Sequence, residues 1–249
     1  MDDPILIPLI VAVFFLAGLV KGVIGLGLPT VALSLMTILT SLPTAMALML
    51  VPTFATNVVQ ALTGGHAKVI LKRIWPFLLL ATVTVWAGGL VLRDADLSLM
   101  SSLLGAVLVA YAILGFTGYQ MKTAPQQETL SGVVLGTVNG VLSGMVGSYA
   151  VPGVMYLQSL GFDRNQFVQA MGMLFLGTTI ALGVTLSGNN LMTAEMGWMS
   201  VGATVPAFAG FFAGQMIRKR LSERLFRLLF YAGLLALGLF IVIRPLLGS

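Results

Sequence analysis

Apolar runs separated by short polar joints fill nearly the whole chain. They fall at 4–20, 28–42, 44–63, 74–92 and 97–119. A polar break at 120–129 follows, and then runs at 130–147, 149–160, 166–187, 196–217 and 225–242. A helix crosses the hydrocarbon core with about 20 apolar residues, whereas a run of about 10–14 reads as a re-entrant or buried piece. The pattern predicts ten membrane segments, five and then five, with the second of each set short. The expected fold is an all-α polytopic membrane protein, with eight full spans if the short hairpins are re-entrant.

The two sets look like copies, repeat 1 at 1–124 and repeat 2 at 125–249. Gly18 and Gly22 recur as Gly136 and Gly140, Trp75 as Trp198, and Arg93 as Arg218, in the same order and at a slowly drifting spacing. Lysine and arginine collect on the cytoplasmic side of membrane proteins. His66, Lys68, Lys72 and Arg73 fill one joint of the first copy, while its counterpart 187–195 holds no lysine or arginine. The joint at Arg93-Asp94-Ala95-Asp96 is nearly neutral, while its counterpart holds Arg218, Lys219, Arg220, Arg224 and Arg227. Equivalent joints carry opposite charge, so the copies are expected to be inverted, as an odd number of crossings per copy requires. This puts the N-terminus on the extracytoplasmic side.

Composition agrees. Of 249 residues, 58% are hydrophobic and 8% charged, against about 25% charged in a soluble domain. The mean hydropathy is +1.02. The net charge of +5 sits beside the apolar runs and is explained by membrane orientation, so nucleic acid is not an expected partner. The start, Met1-Asp2-Asp3, is acidic, unlike the positive start of a secretory signal, and the first run is read as a permanent span. With no cysteine, thiolate chemistry and disulfides are excluded; no cofactor or metal is expected.

Each copy has a glycine-broken hairpin near its start. Gly25-Leu26-Gly27-Leu28-Pro29-Thr30 opens the short segment of the first, and Gly144-Met145-Val146-Gly147-Ser148 precedes Tyr149-Ala150-Val151-Pro152 in the second. Inverted repeats with short Gly/Pro-interrupted segments in matching places point to a transporter, with its site at the repeat interface near the midplane. Broken backbone there must line a cavity or be buried, and each break is expected to offer free N–H groups and a positive helix end to an anion. Gly132, Gly136 and Gly140 instead have the spacing of a helix-packing ladder.

Lys21 is the one basic residue beside a break, with Asn139 read as its counterpart. It serves either as countercharge to an anion or as a snorkelling interface lysine. Thr53, Asn57 and Gln60 share one helix face, Asn139 and Ser143 another, and Gln169, Thr178 and Thr179 lie on the eighth segment. Each can donate a hydrogen bond to an oxyanion or bridge helices. The candidate substrate site is therefore Lys21, Gly22, Gly25, Gly27, Thr30, Asn57, Gln60, Asn139, Ser143, Gly144, Gly147, Ser148, Gln169 and Thr178. The eight acidic residues all fall at segment ends or in joints, which argues against a carboxylate-based cation pathway and leaves the coupling ion open. His66 reads as a solvated loop residue, Trp75 and Trp198 as interface anchors, and the fourteen methionines as packing.

LAGLVKGVIGLGLP at Leu16–Pro29, with its second copy LGTVNGVLSGMVGSYAVP at Leu135–Pro152, resembles the sulfite exporter TauE/SafE family. The resemblance extends to the chain length, the duplicated hairpins and the basic joint near residue 70. It implies a multi-pass permease of the bacterial inner membrane for small sulfur-containing or organic anions, such as sulfite, sulfoacetate and other sulfonates. The expected mechanism is alternating access, one repeat rocking against the other. An anion channel or uniporter and a non-transporting assembly subunit are the alternatives. Gly140-Val141-Leu142-Ser143-Gly144 is faintly similar to an intramembrane serine protease site, but that chemistry needs a base within reach of the serine, so an enzyme is not expected. The expected partners are a small anion and the lipid bilayer; a homodimer is compatible with the sequence.

Overall fold

The computed structural model describes residues 5–119, 121–218 and 222–247. Met1, Asp2 and Asp3 of the acidic start, and Lys219 and Arg220 of the basic joint, lie outside the described residues. The described chain is helical, without strands. In order the helices are α1 (Leu6–Ile24), α2 (Leu28–Leu39), α3 (Leu42–Leu62), α4 (Ala67–Val83), α5 (Val85–Asp94), α6 (Leu97–Thr117), α7 (Glu128–Val146), α8 (Gly153–Ser159), α9 (Arg164–Gly188), α10 (Ala194–Arg218) and α11 (Glu223–Ile243).

With α4 and α5 taken together, eight spans are long and apolar enough to cross a membrane. The two short pieces, α2 and α8, fall where the apolar pattern placed them, second in each set. At about 1.5 Å rise per residue, the 12 residues of α2 fall well short of a hydrocarbon core about 30 Å thick. The basic joint near residue 70 differs from expectation. Helix α4 already starts at Ala67, so Lys68, Lys72 and Arg73 lie on its first turns rather than in a loop. A local kink at Ile74 (φ −118°, ψ 15°) separates this polar entry from the apolar body; Pro76, two residues on, cannot donate a backbone hydrogen bond.

The chain forms two compact units, each drawing on both halves of the sequence. The first comprises 1–52, 96–118 and 191–249; the second comprises 53–95 and 119–190.

In the first unit, α1 packs along α10 and α6 along α11. Glycine makes the α1–α10 approach possible. A methyl group on Gly18 would collide with the Ala207 carbonyl, one on Gly22 with that of Phe211, and one on Gly214 with that of Leu19. Pro52 interrupts α3 and cannot donate to the carbonyl four residues back. Ser200 of α10 fills that gap. Its hydroxyl donates to Leu48 O at 2.8 Å and accepts from the Val51 N–H at 3.0 Å.

In the second unit, α7 packs along α4 and α5 through the same kind of seam. A methyl on Gly144 would meet Val85 O and the Gly88 Cα, and one on Gly88 would meet Val141 O and the Gly144 Cα. These contacts mirror those of Gly22 and Gly214. They match Gly18 and Gly22 with Gly140 and Gly144, one helical turn beyond the Gly136 and Gly140 that the sequence spacing suggested. A ladder with glycine at every fourth position slides by one turn without losing its match, so spacing alone does not fix the register. On the structural register the residue equivalent to Lys21 is Ser143, not Asn139. The packing expected of Gly132, Gly136 and Gly140 is present: Gly136 faces Phe77 O, and Gly132 faces the Tyr156 ring.

The polar end of the second unit is tied by Arg73. Its guanidinium makes a bidentate pair with Glu128 (2.7 and 3.0 Å), donates to Leu160 O at 2.9 Å and lies over the Phe162 ring. Tyr156 donates to Glu128 O at 3.0 Å and packs on Phe77. Thus α4, α7 and α8 are pinned together at one end. Trp75, Trp86 and Trp198 are exposed, as lipid- and interface-facing aromatics are.

Replacing Ser200 with alanine orphans Leu48 O and the Val51 N–H. An unsatisfied buried polar group costs about 1–3 kcal/mol, so Ser200→Ala is expected to lower the unfolding temperature of the detergent-purified protein. Ser200→Thr, which keeps the hydroxyl, is expected to lower it less.

Candidate functional site

Each unit contains a break where a long helix ends on a left-handed glycine just before a short helix, and the sequence dictates both in the same way. Helix α1 ends at Ile24 because Gly25 turns left-handed (φ +83°), its N–H closing on Lys21 O at 2.8 Å. Helix α7 ends at Val146 because Gly147 does likewise (φ +72°), its N–H closing on Ser143 O at 2.9 Å. Such a left-handed cap carries no Cβ penalty only for glycine.

The two interruptions then diverge. In the first unit, Gly27 (φ +107°) is the N-cap of α2 and gives no side-chain hydrogen bond to it. The first intrahelical bond is from Val31 N to Gly27 O at 2.8 Å. Pro29 falls in the first turn, where a missing N–H is harmless. The opening N–H groups of α2, with the positive end of its dipole, therefore have no internal partner. Thr30 is half-buried there, and its carbonyl accepts from the Ser34 hydroxyl at 2.6 Å.

Lys21 stands in the last turn of α1 and is 2% exposed. A snorkelling lysine keeps its ammonium in water; this one is buried. Gly22, the next residue, belongs to the α1–α10 seam rather than to the break itself.

In the second unit the interruption is longer, 147–152, and side chains of α7 serve part of its backbone. Asn139 Oδ1 accepts from the Gly153 N–H at 2.9 Å and so caps α8. Ser143 donates to backbone carbonyls, lying 2.7 Å from Asn139 O and 3.0 Å from Ser148 O. At α8, unlike at α2, a side chain occupies the cap. The second unit offers side-chain groups instead. Asn139 Nδ2 is buried without a hydrogen-bond partner; the Tyr149 and Thr179 hydroxyls are buried beside one another, and the Tyr149 ring packs against Phe175 of α9.

The candidates of the second unit therefore separate. Asn139, Ser143, Gly147 and Ser148 are brought together at the break. Gly144 lies in the α5–α7 seam. Thr178 is buried on α9 and donates to Leu174 O at 2.9 Å. Gln60 and Gln169 form a separate reciprocal clamp: Gln60 donates to Val168 O at 2.9 Å, and Gln169 to Ala61 O at 2.8 Å. Gln169 Oε1 also accepts the His66 N–H at 2.9 Å. Asn57 is fully buried on α3, one turn before Gln60. Tyr149 was not singled out from the sequence, although a tyrosine directly after Gly147-Ser148 within an apolar run is a signal of a buried hydroxyl needing a partner.

An all-helical chain with eight membrane-length spans and two short, glycine-interrupted helices is a polytopic membrane protein of transporter type. The family model for the sulfite exporter TauE/SafE matches residues 10–241, nearly the full length, and the chain belongs to that family. The family is one of membrane transporters and not of enzymes. No curated protein and no solved structure matches the chain.

Gly22 and Gly144 are expected to act through packing. Gly22→Val and Gly144→Val should each collapse the yield of monodisperse protein on size-exclusion chromatography. Gly233→Ala, where an added methyl meets nothing, should leave it unchanged.

Proposed function

We propose that the protein moves small sulfur-containing or organic oxyanions, sulfite and sulfonates among them, by alternating access. The observation that carries this reading is the first interruption, where the uncapped N-terminus of α2 adjoins a buried lysine. A helix N-terminus favours an anion by about 0.3–1 kcal/mol when exposed and up to about 2 when partly buried, and a lysine adds a full charge. In the second unit the Asn139 amide and the hydroxyls of Tyr149 and Thr179 supply donors of the kind an oxyanion accepts. Gly25, Gly27 and Gly147 shape the backbone that makes room.

The glycine seams repeat with the same partners in both units, which supports an ancient duplication into repeats 1–124 and 125–249. Their opposite joint charges support inversion, with the N-terminus outside the cytoplasm of a bacterial inner-membrane protein. No acidic residue lies in the body of a described helix; Asp94, Asp96, Glu128, Asp163 and Glu195 stand at helix ends. A pathway for anions needs no such group.

Three measurements test the reading. Pure protein in liposomes should give saturable sulfite or sulfonate flux; linear, unsaturated flux would indicate a channel, and no flux of any sulfur oxyanion or small carboxylate would overturn the proposal. Lys21→Gln should weaken apparent substrate affinity about tenfold or more, given the about 2 kcal/mol ceiling for a partly buried charge-assisted site, with folding retained. For topology, single cysteines at Ser98 and Ser222 should label from opposite sides of the membrane; labelling from one side would end the inverted-repeat model.

A further inference from the structure

A cavity of about 260 Å³ in the first unit lies apart from the α1–α2 interruption, at the opposite end of α2. It is lined by Thr37 and Thr40 of the α2 terminus, Ser41, Ser98 and Ser101, and Arg244. Leu42 and Leu97, the first residues of α3 and α6, also face it, so two helix N-termini bring their positive ends to the same space. No acidic side chain is among the lining residues. The nearest in sequence, Asp96, has its carboxylate engaged by the N–H groups of Ser98 and Leu99.

One hydroxyl in the lining departs from the behaviour of its neighbours. Serine and threonine in apolar helices normally donate to the carbonyl one turn back. Ser34 does so to Thr30 O, Thr40 to Met36 O and Ser101 to Leu97 O. Thr37 does not. Its residue is 6% exposed, and its hydroxyl is buried with no hydrogen-bond partner. Arg244, which lines the cavity, uses one of its five N–H donors to hold Ile38 O at 2.9 Å.

We infer that this cavity is a second oxyanion site, held by the Arg244 guanidinium and the Thr37 hydroxyl. A cation is disfavoured by the arginine, and the hydroxyls offer an anion donors that an apolar ligand would leave unused. The volume accommodates about eight waters, enough for a tetrahedral or pyramidal oxyanion with part of its hydration shell. The oxyanion is either free in solution or the phosphate of a lipid headgroup, since both present the same acceptors to a guanidinium.

The chain lacks cysteine, so Ser98→Cys places one reporter thiol in the cavity lining. At low salt, an anionic methanethiosulfonate should label it about threefold or more faster than a cationic one. Millimolar sulfate, in lipid-free detergent, should slow labelling. Arg244→Gln in this background should abolish both effects, and Thr37→Val should abolish sulfate protection while keeping the charge preference. Should Arg244→Gln fail to fold through loss of its bond to Ile38, Arg244→Lys and Thr37→Val carry the test. Protection by short-chain phosphatidylglycerol but not by sulfate assigns the lipid phosphate as the ligand. Absence of protection by either, or protection unchanged in Thr37→Val, overturns the site. Because labelling reads this cavity alone, its failure leaves the flux and Lys21 tests of the transport reading untouched.

Discussion

Inside hydrocarbon a backbone N–H or C=O has no water to turn to, so every interruption of a helix must be repaired by the protein or must face a cavity. The rest of this structure follows from how each interruption meets that demand. At Pro52 the repair is complete: Ser200 inserts one hydroxyl that serves both Leu48 O and the Val51 N–H, and α3 continues as one helix. At 147–152 part of the backbone is repaired, through the Asn139 cap and the Ser143 hydroxyl. At 25–27 the exit is repaired by the Gly25 cap, but the entry of α2 has none. On the transport reading, that uncapped entry, close in sequence to Lys21, is where an external acceptor is favoured.

The helices that hold these interruptions cannot rely on the hydrophobic effect, because lipid tails are as apolar as leucine. They rely on close backbone approach, which explains why both units use glycine along their longest contact. The seams are equivalent but not identical. In the first unit Gly210 lies flat against Phe15 O. The equivalent position in the second is Thr84, whose hydroxyl donates to Leu80 O at 2.7 Å and lies 3.1 Å from Thr137 O. One copy thus gains contact area where the other uses a hydrogen bond at the joint between α4 and α5. Two chemically different solutions at one position are what duplicated halves with separate later histories would show.

Much of this was legible from the sequence because it rests on long-range periodicity. Ten apolar runs with short second members, and glycine-proline punctuation at both breaks, follow directly from hydrocarbon thickness and from the φ > 0 requirement of a left-handed cap. The register of the two copies was not legible, since glycines spaced by four residues tolerate a slip of one turn, and Lys21 was accordingly matched to Asn139 instead of Ser143. Candidate polar residues can be picked from the sequence, yet it does not say which backbone groups their donors serve. Gln60 donates to Val168 O and Gln169 to Ala61 O, bonds between residues distant in the chain. The start of α4 was misjudged for a simpler reason: charge was read as loop, whereas Lys68, Lys72 and Arg73 continue a helix into its polar end.

Lys21 carries the sharpest energetic argument. A charged residue at the centre of a membrane helix costs about 2.5–3.5 kcal/mol on insertion scales, and the usual escape, reaching the interface with the ammonium, is closed to a side chain 2% exposed. On the transport reading, an anion that arrives and leaves again offsets part of the cost of this lysine. A fixed carboxylate would neutralise it permanently and would compete with any anion for the same ammonium. On that reading the burial of this base and the position of the described acids at helix ends belong together, because a carboxylate fixed at the site would hold the ammonium that the anion needs.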